Sequence, residues 1–269
     1  MTTYYDGPDL QTTVLAALQA AGRDVDRINS DDLAGIDEFH ALGRAGTLAL
    51  AKLANITPGE RVLDVGAGIG GPARFLARHY GAIVTAVDPT ARFANLARTL
   101  TERAGLSDQV TVVHTDGTGL PFPDASFDLA WTQAVWQSVE NKQTLATEIR
   151  RVLTPEGRLA MFELVGDGRD LHYPVPWGDG PADSFVLAEP ELKALLQGTG
   201  LHIDLWLTGQ AAQAALVTAA GDTERMTPGL PGVGLDLLMP DYAERMAGLA
   251  RNVEDGRIEL LLAALSPAR

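Results

Sequence analysis

Glycine and aspartate residues between positions 64 and 88 form the pattern in this chain that is best suited to binding a polar ligand. Gly66, Gly68 and Gly71 fit the G-x-G-x-x-G spacing, in which glycine lets the backbone approach a ligand and the following helix offers unpaired N–H groups. Asp64 lies inside the strand before this turn, where a dinucleotide-binding strand normally carries an apolar residue. Asp88 closes the next strand, and its carboxylate can accept two hydrogen bonds from a ribose diol. The pattern predicts a nucleoside site, with an αβ turn that binds nothing as the alternative.

Polar residues also follow the third and fourth predicted strands. Asp116-Gly117 comes after the third strand, and Gln133 comes after the fourth. The carboxyl ends of parallel strands meet at one edge of a sheet, which is where α/β proteins bind their ligands. We therefore expect these residues to lie beside Asp64 and Asp88. For Asp116, a turn-forming role before the following glycine is the alternative.

The elements that must position these residues alternate between strands and helices. Short apolar runs rich in β-branched residues predict the strands, and helical periodicity with capping residues predicts the helices between them. Such alternation is typical of a doubly wound, mostly parallel α/β sheet with right-handed crossovers. The predicted strands are Arg61–Val65, Ile83–Val87, Gln109–His114, Leu129–Thr132, Arg158–Leu164, Leu201–Leu207 and Arg257–Leu265.

Two main helices are predicted before the first strand. Asp9 can cap a helix that ends at Gly22. A longer helix is predicted from about Glu38 to Ala54, because Leu42 and the apolar residues after it recur at helical spacing. These helices could cover the strand ends or pack on the flank of the sheet.

The chain is interpreted as a helical cap followed by one large domain. Residues 1–56 would form the N-terminal cap, and residues 57–269 would form the main domain. Within that domain, segments at about 166–188 and 209–254 are predicted as a lid or insertion, because they are rich in proline and glycine or depart from the regular alternation.

Composition and charge limit the possible partners. A chain of 269 residues with 46% hydrophobic and 21% charged residues can bury a sizeable core. A net charge of −14 disfavours nucleic acid and anionic membranes as partners. The absence of cysteine excludes disulfides and thiolate chemistry, and no His/carboxylate group has metal-ligand spacing, so no metal is expected. Residues 1–8 lack a basic and then apolar leader, which makes the cytoplasm the expected location.

Several motifs resemble those of the class I, Rossmann-like S-adenosylmethionine-dependent methyltransferases. They are V-L-D-V-G-A-G-I-G-G-P-A-R at Val62–Arg74, V-T-A-V-D at Val84–Asp88, L-P-F-P-D-A-S-F-D at Leu120–Asp128 and R-R-V-L-T-P-E-G-R-L at Arg150–Leu159. Within the family, D-E-F-H-A-L-G-R at Asp37–Arg44 resembles the small-molecule group that contains ubiquinone/menaquinone, tocopherol, sterol and sarcosine/dimethylglycine methyltransferases. The resemblance implies a seven-stranded sheet whose last strand is antiparallel and lies between the fifth and the sixth.

The resemblance also implies S-adenosyl-L-methionine as the cofactor and S-adenosyl-L-homocysteine as its product. The glycines of the turn would pass under the methionine part, Asp88 would hold the ribose hydroxyls, and Asp116 would hold the adenine amino group. Asp64 would bond either the N–H groups of the turn or the methionine ammonium, and the main chain near Thr132 would face the methionine end. The implied cofactor-binding residues are Asp64, Gly66, Ala67, Gly68, Gly70, Asp88, Pro89, Asp116, Gly117, Thr132 and Gln133.

The chain departs from the family after the fourth strand, where related enzymes often carry a histidine. Gln137 or Ser138 stands there, and neither is a base at neutral pH. Among the five histidines, His40 in the 37–44 motif is the best candidate for a general base, with a structural role as the alternative, and His172 is the next candidate. The predicted substrate walls are Phe39, His40, Gln133, Trp136, Tyr173 and Trp177.

The function implied by the resemblance is transfer of a methyl group to O, N or C of a small molecule by in-line displacement. One alternative is a protein of the same fold that binds the cofactor without methylating, as a cyclase or a scaffold. A nicotinamide-dependent dehydrogenase is a further alternative, because it shares the glycine pattern and the acid after the second strand. A small-molecule acceptor is expected as partner, without nucleic acid or membrane, and both a monomer and a homodimer remain open.

Overall fold

The computed structural model describes residues 9–40, 43–221 and 229–268, so residues 1–8, on which the expectation about a leader rests, and Leu42 lie outside it. Within the described residues from 61 onward, helices separate successive strands along the chain, except that a loop joins the third strand to the fourth. The strands are β1 (Arg61–Val65), β2 (Ile83–Asp88), β3 (Val110–His114), β4 (Phe127–Gln133), β5 (Leu153–Val165), β6 (Leu201–Thr208) and β7 (Glu259–Pro267). The α-helices are α1 (Leu10–Ala20), α2 (Arg44–Ala54), α3 (Gly71–Tyr80), α4 (Ala91–Arg103), α5 (Lys142–Val152), α6 (Glu189–Gly198), α7 (Gly209–Gly221) and α8 (Tyr242–Glu254).

The strands form one sheet in the order β3-β2-β1-β4-β5-β7-β6. Strands β1 to β5 pair in parallel, and β7 is antiparallel to both β5 and β6. The chain builds outward from β1 to β3 on one side and then continues on the other side with β4, so the strand order reverses between β1 and β4. A reversal of this kind opens a crevice at the carboxyl ends of the strands. The predicted α/β sheet of seven strands, with the last strand antiparallel between the fifth and the sixth, is confirmed.

The central strands are buried on both faces because helices cover each side of the sheet. On one face, Leu63 and Ala130 pack in a cluster with α5 and α6. On the other face, Val62 and Trp131 pack in a cluster with α2 and α3. An apolar strand with two covered faces leaves a charged residue such as Asp64 no way to reach bulk water, which is why this aspartate stood out in the sequence.

The two N-terminal helices pack in different places. The apolar side of α1, with Leu10, Val14 and Leu18, lies in one cluster with Leu96 and Leu100 of α4. Helix α2 lies against α7 and β5. Helix α1 therefore packs on a helix that flanks the sheet. The division of the chain at residue 56 stays a prediction.

The helix predicted from about Glu38 is wrong at its start, because α2 begins only at Arg44. Its N-cap residue, Gly43, has a φ of 52° and a ψ of −143°, a conformation that favours glycine and is not helical. Upstream, the side chains of Glu38 and His40 both reach the Thr47 hydroxyl in the first turn of α2. These bonds hold the segment outside the helix, and apolar periodicity carries no sign of them.

The segment of residues 171–186, which we call the roof segment, is attached to α8. The buried side chain of Arg245 donates from Nη1 to the Val175 carbonyl oxygen at 2.9 Å. The Asn252 amide donates to the His172 carbonyl oxygen at 2.9 Å and accepts from the His172 N–H at 2.8 Å. The roof segment is thus a packed layer over the carboxyl ends of the strands.

Candidate functional site

A cavity of about 970 Å³ lies at the carboxyl ends of β1, β2, β4 and β5. Its lining combines the glycine turn after β1, the end of β2 and the loop after β4 with the roof segment and α8. Ligand pockets in proteins typically measure about 300–1,000 Å³, so this cavity is at the upper end of the range. It offers room for two small ligands side by side.

The turn after β1 forms the floor of the cavity. Gly66 and Gly68 have positive φ values of 73° and 56°, which favour glycine. The N–H groups of Gly66 and Ala67 donate to the Val87 carbonyl oxygen at 2.8 Å and 3.0 Å, which fixes the turn on β2. A Cβ on Gly66 would lie 2.5 Å from Cγ2 of Val135, so the turn and the loop after β4 pack too closely for any other residue.

Asp88 ends β2 with both carboxylate oxygens fixed by the backbone. Its Oδ2 accepts from the Gly68 N–H at 2.9 Å, and its Oδ1 accepts from the Thr90 N–H at 2.8 Å. Burial raises the pKa of Asp88 to about 6, against the lowering effect of these two N–H groups. A carboxylate has about four lone-pair positions, so each oxygen can still accept one bond from a ligand.

Asp64 is buried inside β1, lines the cavity, and has an Oδ2 atom with no hydrogen-bond partner among the described residues. Burial, followed by the charges of Asp88 and Glu38, raises the pKa of Asp64 to about 8. The N–H groups of Gly66 and Ala67 bond to the Val87 carbonyl oxygen, so these two groups are not the partners of Asp64. A group that carries positive charge or a hydrogen-bond donor would satisfy this carboxyl group.

Asp116 serves a turn and lines the cavity at the same time. Its Oδ1 accepts from both the N–H and the hydroxyl of Thr118, at 2.9 Å and 2.8 Å. This is the turn-forming role that was the alternative for Asp116. The residue nevertheless belongs to the cavity lining together with Gly117, so the two roles are compatible.

His40 lies at the cavity wall in a network of polar side chains. Its Nε2 is 2.8 Å from Oε2 of Glu38 and 3.1 Å from the Thr47 hydroxyl, which itself donates to Glu38 at 2.6 Å. Burial would raise the pKa of Glu38, but the bond and charge of His40 together with the charge of Arg44 hold it below its usual value. An ionised Glu38 accepts the Nε2 proton and so assigns Nδ1 as the basic nitrogen of the neutral ring. His172, the next candidate, instead pairs with Asp255 outside the cavity lining, with Nε2 2.7 Å from Oδ2.

Gln133 connects this network to the core of the sheet. Its Oε1 accepts from Nε1 of Trp131 at 2.9 Å, which assigns the orientation of the amide. The Nε2 atom of Gln133 then lies 3.3 Å from both Nε2 of His40 and the Thr47 hydroxyl. The end of β4 and the segment before α2 therefore meet at this wall.

Four predicted site residues do not line the cavity: Gly70, Thr132, Trp136 and Tyr173. The Trp136 indole is buried and donates to the Thr132 hydroxyl at 3.2 Å, so both side chains are used in the core behind the loop. Gly70 is the N-cap residue of α3, and Tyr173 packs in the apolar cluster of the roof segment. The other predicted residues line it: Phe39, His40, Asp64, Gly66, Ala67, Gly68, Asp88, Pro89, Asp116, Gly117, Gln133 and Trp177.

Several residues that line the cavity were not predicted from the sequence. Glu163 stands in the apolar run of β5, which is the same signal that marked Asp64 in β1. Tyr242, Met246 and Leu249 lie four and then three positions apart on α8, a spacing that places them on one helix face. That spacing could have shown a shared face, but nothing in it indicates which cavity the face meets.

Comparison with known proteins agrees with this geometry. Residues 63–161 match the protein family described as a methyltransferase domain. This part of the chain is similar to methyltransferase domains. The matched residues run from β1 into β5 and so include Asp64, the glycine turn, Asp88 and the loop after β4. The predicted resemblance to methyltransferases is confirmed for this part of the chain.

A curated relative of the methyltransferase domain is a sterol 24-C-methyltransferase of Gibberella zeae. It is 36% identical over 147 residues, which cover 51% of this chain and 39% of the relative. The chain spans about half or less of the length of the curated relatives it matches.

Two solved structures share the fold over most of the chain. The first is the cyclase SpnF, with 21% identity, a TM-score of 0.63, and coverage of 97% of this chain and 93% of that chain. The second is a putative sarcosine dimethylglycine methyltransferase of Galdieria sulphuraria, with 19% identity, a TM-score of 0.63, and coverage of 84% and 85%. At these identities the likeness shows that the chain shares their fold.

Proposed function

We propose that the cavity binds S-adenosylmethionine and that the protein transfers its methyl group to O, N or C of a small molecule. One observation carries the proposal: two buried carboxylates, Asp64 and Asp88, and a glycine turn from separate βα units line one cavity. The first carboxylate suits an ammonium, the second suits a ribose diol, and the turn allows close backbone approach. The family match and the sterol methyltransferase relative support the same reaction.

The residues present fit this cofactor along its whole length. Gly66, Ala67 and Gly68 would pass under the methionine part, with the orphaned Oδ2 of Asp64 beside the ammonium. Asp88 would hold the ribose hydroxyls with the lone pairs that its backbone bonds leave, next to Pro89. The adenine amino group would meet Asp116 beside Gly117, and the main chain at Gln133 would face the methionine end.

We expect S-adenosylmethionine to bind with release of about one proton at neutral pH. With a pKa of about 8, Asp64 is mostly protonated in the free protein, and an ammonium beside it lowers that pKa and drives the proton off. Affinity should therefore rise as the pH rises from about 6 to about 7. Calorimetry in two buffers of different ionisation enthalpy counts the protons. Asp64→Asn, which has the same shape and does not titrate, should show no release, and an unchanged release in this variant would contradict the assignment.

When bound, S-adenosylmethionine supplies a sulfonium methyl group that is already activated for in-line displacement by a lone pair. The protein's task is then to hold the acceptor in line and to keep water out. Phe39, Phe162 and Trp177 give the cavity its apolar walls, and the roof segment covers it. For a hydroxyl acceptor, the His40 imidazole is the group that would take the proton, with Glu38 holding the ring through Nε2.

His40→Ala should lower kcat by about a hundredfold for a hydroxyl acceptor, because a general base typically contributes two to four powers of ten. Cofactor affinity should change little, since the contacts proposed for the cofactor come from other residues. The matched control is His202→Ala, because His202 is exposed on β6. Turnover measured with an acceptor found by the labelled-cofactor test below gives the comparison, and an unaltered kcat in His40→Ala would remove this residue from the mechanism.

The decisive test uses S-adenosylmethionine labelled with tritium in its methyl group. We expect the protein to bind this cofactor but not a nicotinamide dinucleotide, and to pass tritium to a member of a panel of hydroxylated and amino small molecules. Binding of the dinucleotide instead would favour the dehydrogenase alternative. Cofactor binding without release of S-adenosylhomocysteine for any acceptor would favour the cyclase or scaffold, the alternative to which the shared fold with SpnF belongs.

Among the described residues, no helix combines the length and apolar character that crossing a bilayer needs. We propose a cytoplasmic protein acting on small molecules without nucleic acid or membrane, on the charge argument given above.

A further inference from the structure

Glu163 is a buried acid in the cavity lining to which the mechanism above gives no role. It stands on β5 with only 1% of its surface exposed. Its Oε2 accepts from the N–H groups of Val135 and Trp136, at 2.8 Å and 3.2 Å, and so holds the loop after β4. Its Oε1 is buried and has no hydrogen-bond partner among the described residues. Burial of an unpaired carboxylate oxygen costs free energy, because the oxygen loses its hydrogen bonds to water and gains no other donor.

Gln137 is a second lining residue with an unsatisfied oxygen. It lies on the short 3-10 helix after β4 with 2% of its surface exposed, and its Oε1 is buried without a partner among the described residues. Its main-chain oxygen accepts from the Phe185 N–H at 2.8 Å, which joins the loop after β4 to the roof segment. Two residues of the same cavity lining thus present hydrogen-bond acceptors that have no partner among the described residues.

The polar groups around Glu163 do not supply a hydrogen-bond partner for its Oε1 atom. The Lys142 ammonium donates to the Val139 carbonyl oxygen and lies 5.6 Å from the centre of the Phe185 ring. The Thr132 hydroxyl lies close enough to affect Glu163 but makes no bond of normal geometry with Oε1. Burial raises the pKa of Glu163 to about 7, while Thr132, the two N–H groups and Lys142 oppose that rise. The side chain is therefore poised between its neutral and charged forms at neutral pH.

The charges of the whole lining disfavour an anionic acceptor. Besides Asp64, Asp88 and Asp116, the acids Asp37, Glu140, Glu163 and Asp183 line the cavity. Arg92 is the one arginine or lysine that the described part of the lining contains. Phosphate and carboxylate groups are bound by clusters of arginine, lysine or helix N-termini, and a cavity with this balance would repel them. Its other walls are largely apolar, as the aromatic residues named above show.

We propose that Oε1 of Glu163, together with the Gln137 amide, binds an N–H or O–H group of the acceptor, and that the acceptor is an apolar molecule that is uncharged or cationic. This inference rests on the proposed function, because it assigns the part of the cavity that the cofactor leaves to the acceptor. Gln137 lies in the loop after β4, and Glu163 bonds to the backbone of that loop. Because the main chain at the end of β4 would face the methionine end of the cofactor, the two residues would bind the acceptor close to that end. They determine which acceptors are accepted, whereas His40 concerns proton removal.

The test uses four probes with one apolar body and different head groups: phenylbutanol, phenylbutylamine, phenylbutyl methyl ether and phenylbutyl phosphate. Calorimetry on the full chain saturated with S-adenosylhomocysteine measures each Kd. The alcohol and the amine should bind about tenfold more tightly than the ether, which has no donor, because a hydrogen bond to a charged group is worth that much. The phosphate should bind most weakly. A tighter amine than alcohol would identify a cationic acceptor, and the reverse order would identify a neutral one.

Glu163→Gln gives the sharpest variant. Its oxygen must stay on the N–H groups of Val135 and Trp136, so the amide NH₂ takes the place of Oε1 and presents donors instead of an acceptor. The preference of the alcohol and the amine over the ether should fall to within about twofold, with S-adenosylhomocysteine affinity preserved. Glu102→Gln makes the same chemical change on the exposed face of α4 and should leave all four Kd values unchanged.

Gln137→Met removes the second acceptor without altering the backbone bond to Phe185, and it should weaken the preference about threefold. If Glu163→Gln loses affinity for S-adenosylhomocysteine, Gln137→Met replaces it as the test, and the preference of the alcohol and the amine over the ether is again the quantity compared. A wild-type protein that binds the ether as tightly as the alcohol, or a Glu163→Gln variant that keeps the preference, would overturn this inference and leave the proposed function intact. Failure of the wild type to bind S-adenosylhomocysteine would instead overturn the proposed function, and this inference with it.

Discussion

Replacing Arg74 with methionine should lower the free energy of unfolding by about 3–5 kcal/mol, because removing one partner of a buried ion pair leaves the other charge unpaired. Arg74 is fully buried on α3, and its Nη2 lies 2.5 Å from Oδ1 of Asp37, which is also buried. Its Nη1 donates to the Ile69 carbonyl oxygen at 2.7 Å. Methionine fills much of the same volume but replaces none of these bonds. Urea denaturation followed by circular dichroism measures the loss.

Arg78→Met is the matched control, since Arg78 is exposed on the same helix and should cost less than about 0.5 kcal/mol. Burial already raises the pKa of Asp37 against the opposing charge of Arg74, so protonation of the orphaned acid limits the damage. Adding Asp37→Asn to Arg74→Met should therefore recover part of the lost stability. Equal destabilisation by the two arginine variants would show that the pair contributes nothing beyond ordinary surface contacts.

This ion pair joins two of the sequence motifs that resemble methyltransferases. Asp37 begins the 37–44 motif, and Arg74 ends the motif at 62–74. A Cβ on Gly71 would lie 1.9 Å from the Asp37 carbonyl oxygen, so the two segments touch through a glycine that no larger residue could replace without moving the backbone. His40 follows directly in the anchored segment.

The parts of the fold that were predicted are those in which burial leaves a periodic signal. Strand β1 runs from Arg61 to Val65 in the structure, as the apolar run predicts, because both of its faces are covered. The same burial made Asp64 visible as an exception. The order of the last three strands came from the family resemblance, since no local pattern fixes which strands become neighbours.

The errors have a common physical cause, which is side-chain hydrogen bonding that leaves no periodic signal in the sequence. The segment around Glu38 carries helical periodicity but is held out of α2 by side-chain bonds to Thr47. Trp136 follows the cofactor-facing loop, yet its indole turns into the core to bond Thr132. Glu163 was overlooked although an acid in the apolar run of β5 is the same kind of exception as Asp64 in β1. Local sequence shows that a residue is buried, whereas the direction of its side chain depends on partners that only the fold supplies.

Asp88→Ala should weaken S-adenosylmethionine binding by at least tenfold and by up to about a hundredfold. The substitution removes the proposed acceptor of the ribose hydroxyls and also leaves the Gly68 and Thr90 N–H groups without their partner, so the floor of the cavity loses its link to β2. Asp88→Asn keeps one oxygen and should fall between the wild type and Asp88→Ala. Because burial raises the pKa of Asp88 to about 6, wild-type affinity should also decline as the pH falls through that value, since the protonated acid accepts fewer bonds.

Asp108→Ala is the matched control for this prediction, because Asp108 is exposed in the turn before β3 and takes no part in the cavity lining. Calorimetry with S-adenosylmethionine and with free methionine separates the two parts of the cofactor. If Asp88 binds the sugar, Asp88→Ala should weaken binding of S-adenosylmethionine far more than binding of free methionine. Asp64→Asn should weaken binding of both ligands. If Asp88→Ala binds S-adenosylmethionine as tightly as Asp108→Ala does, the ribose does not bind at this end of β2. That result would also contradict the orientation proposed for the cofactor.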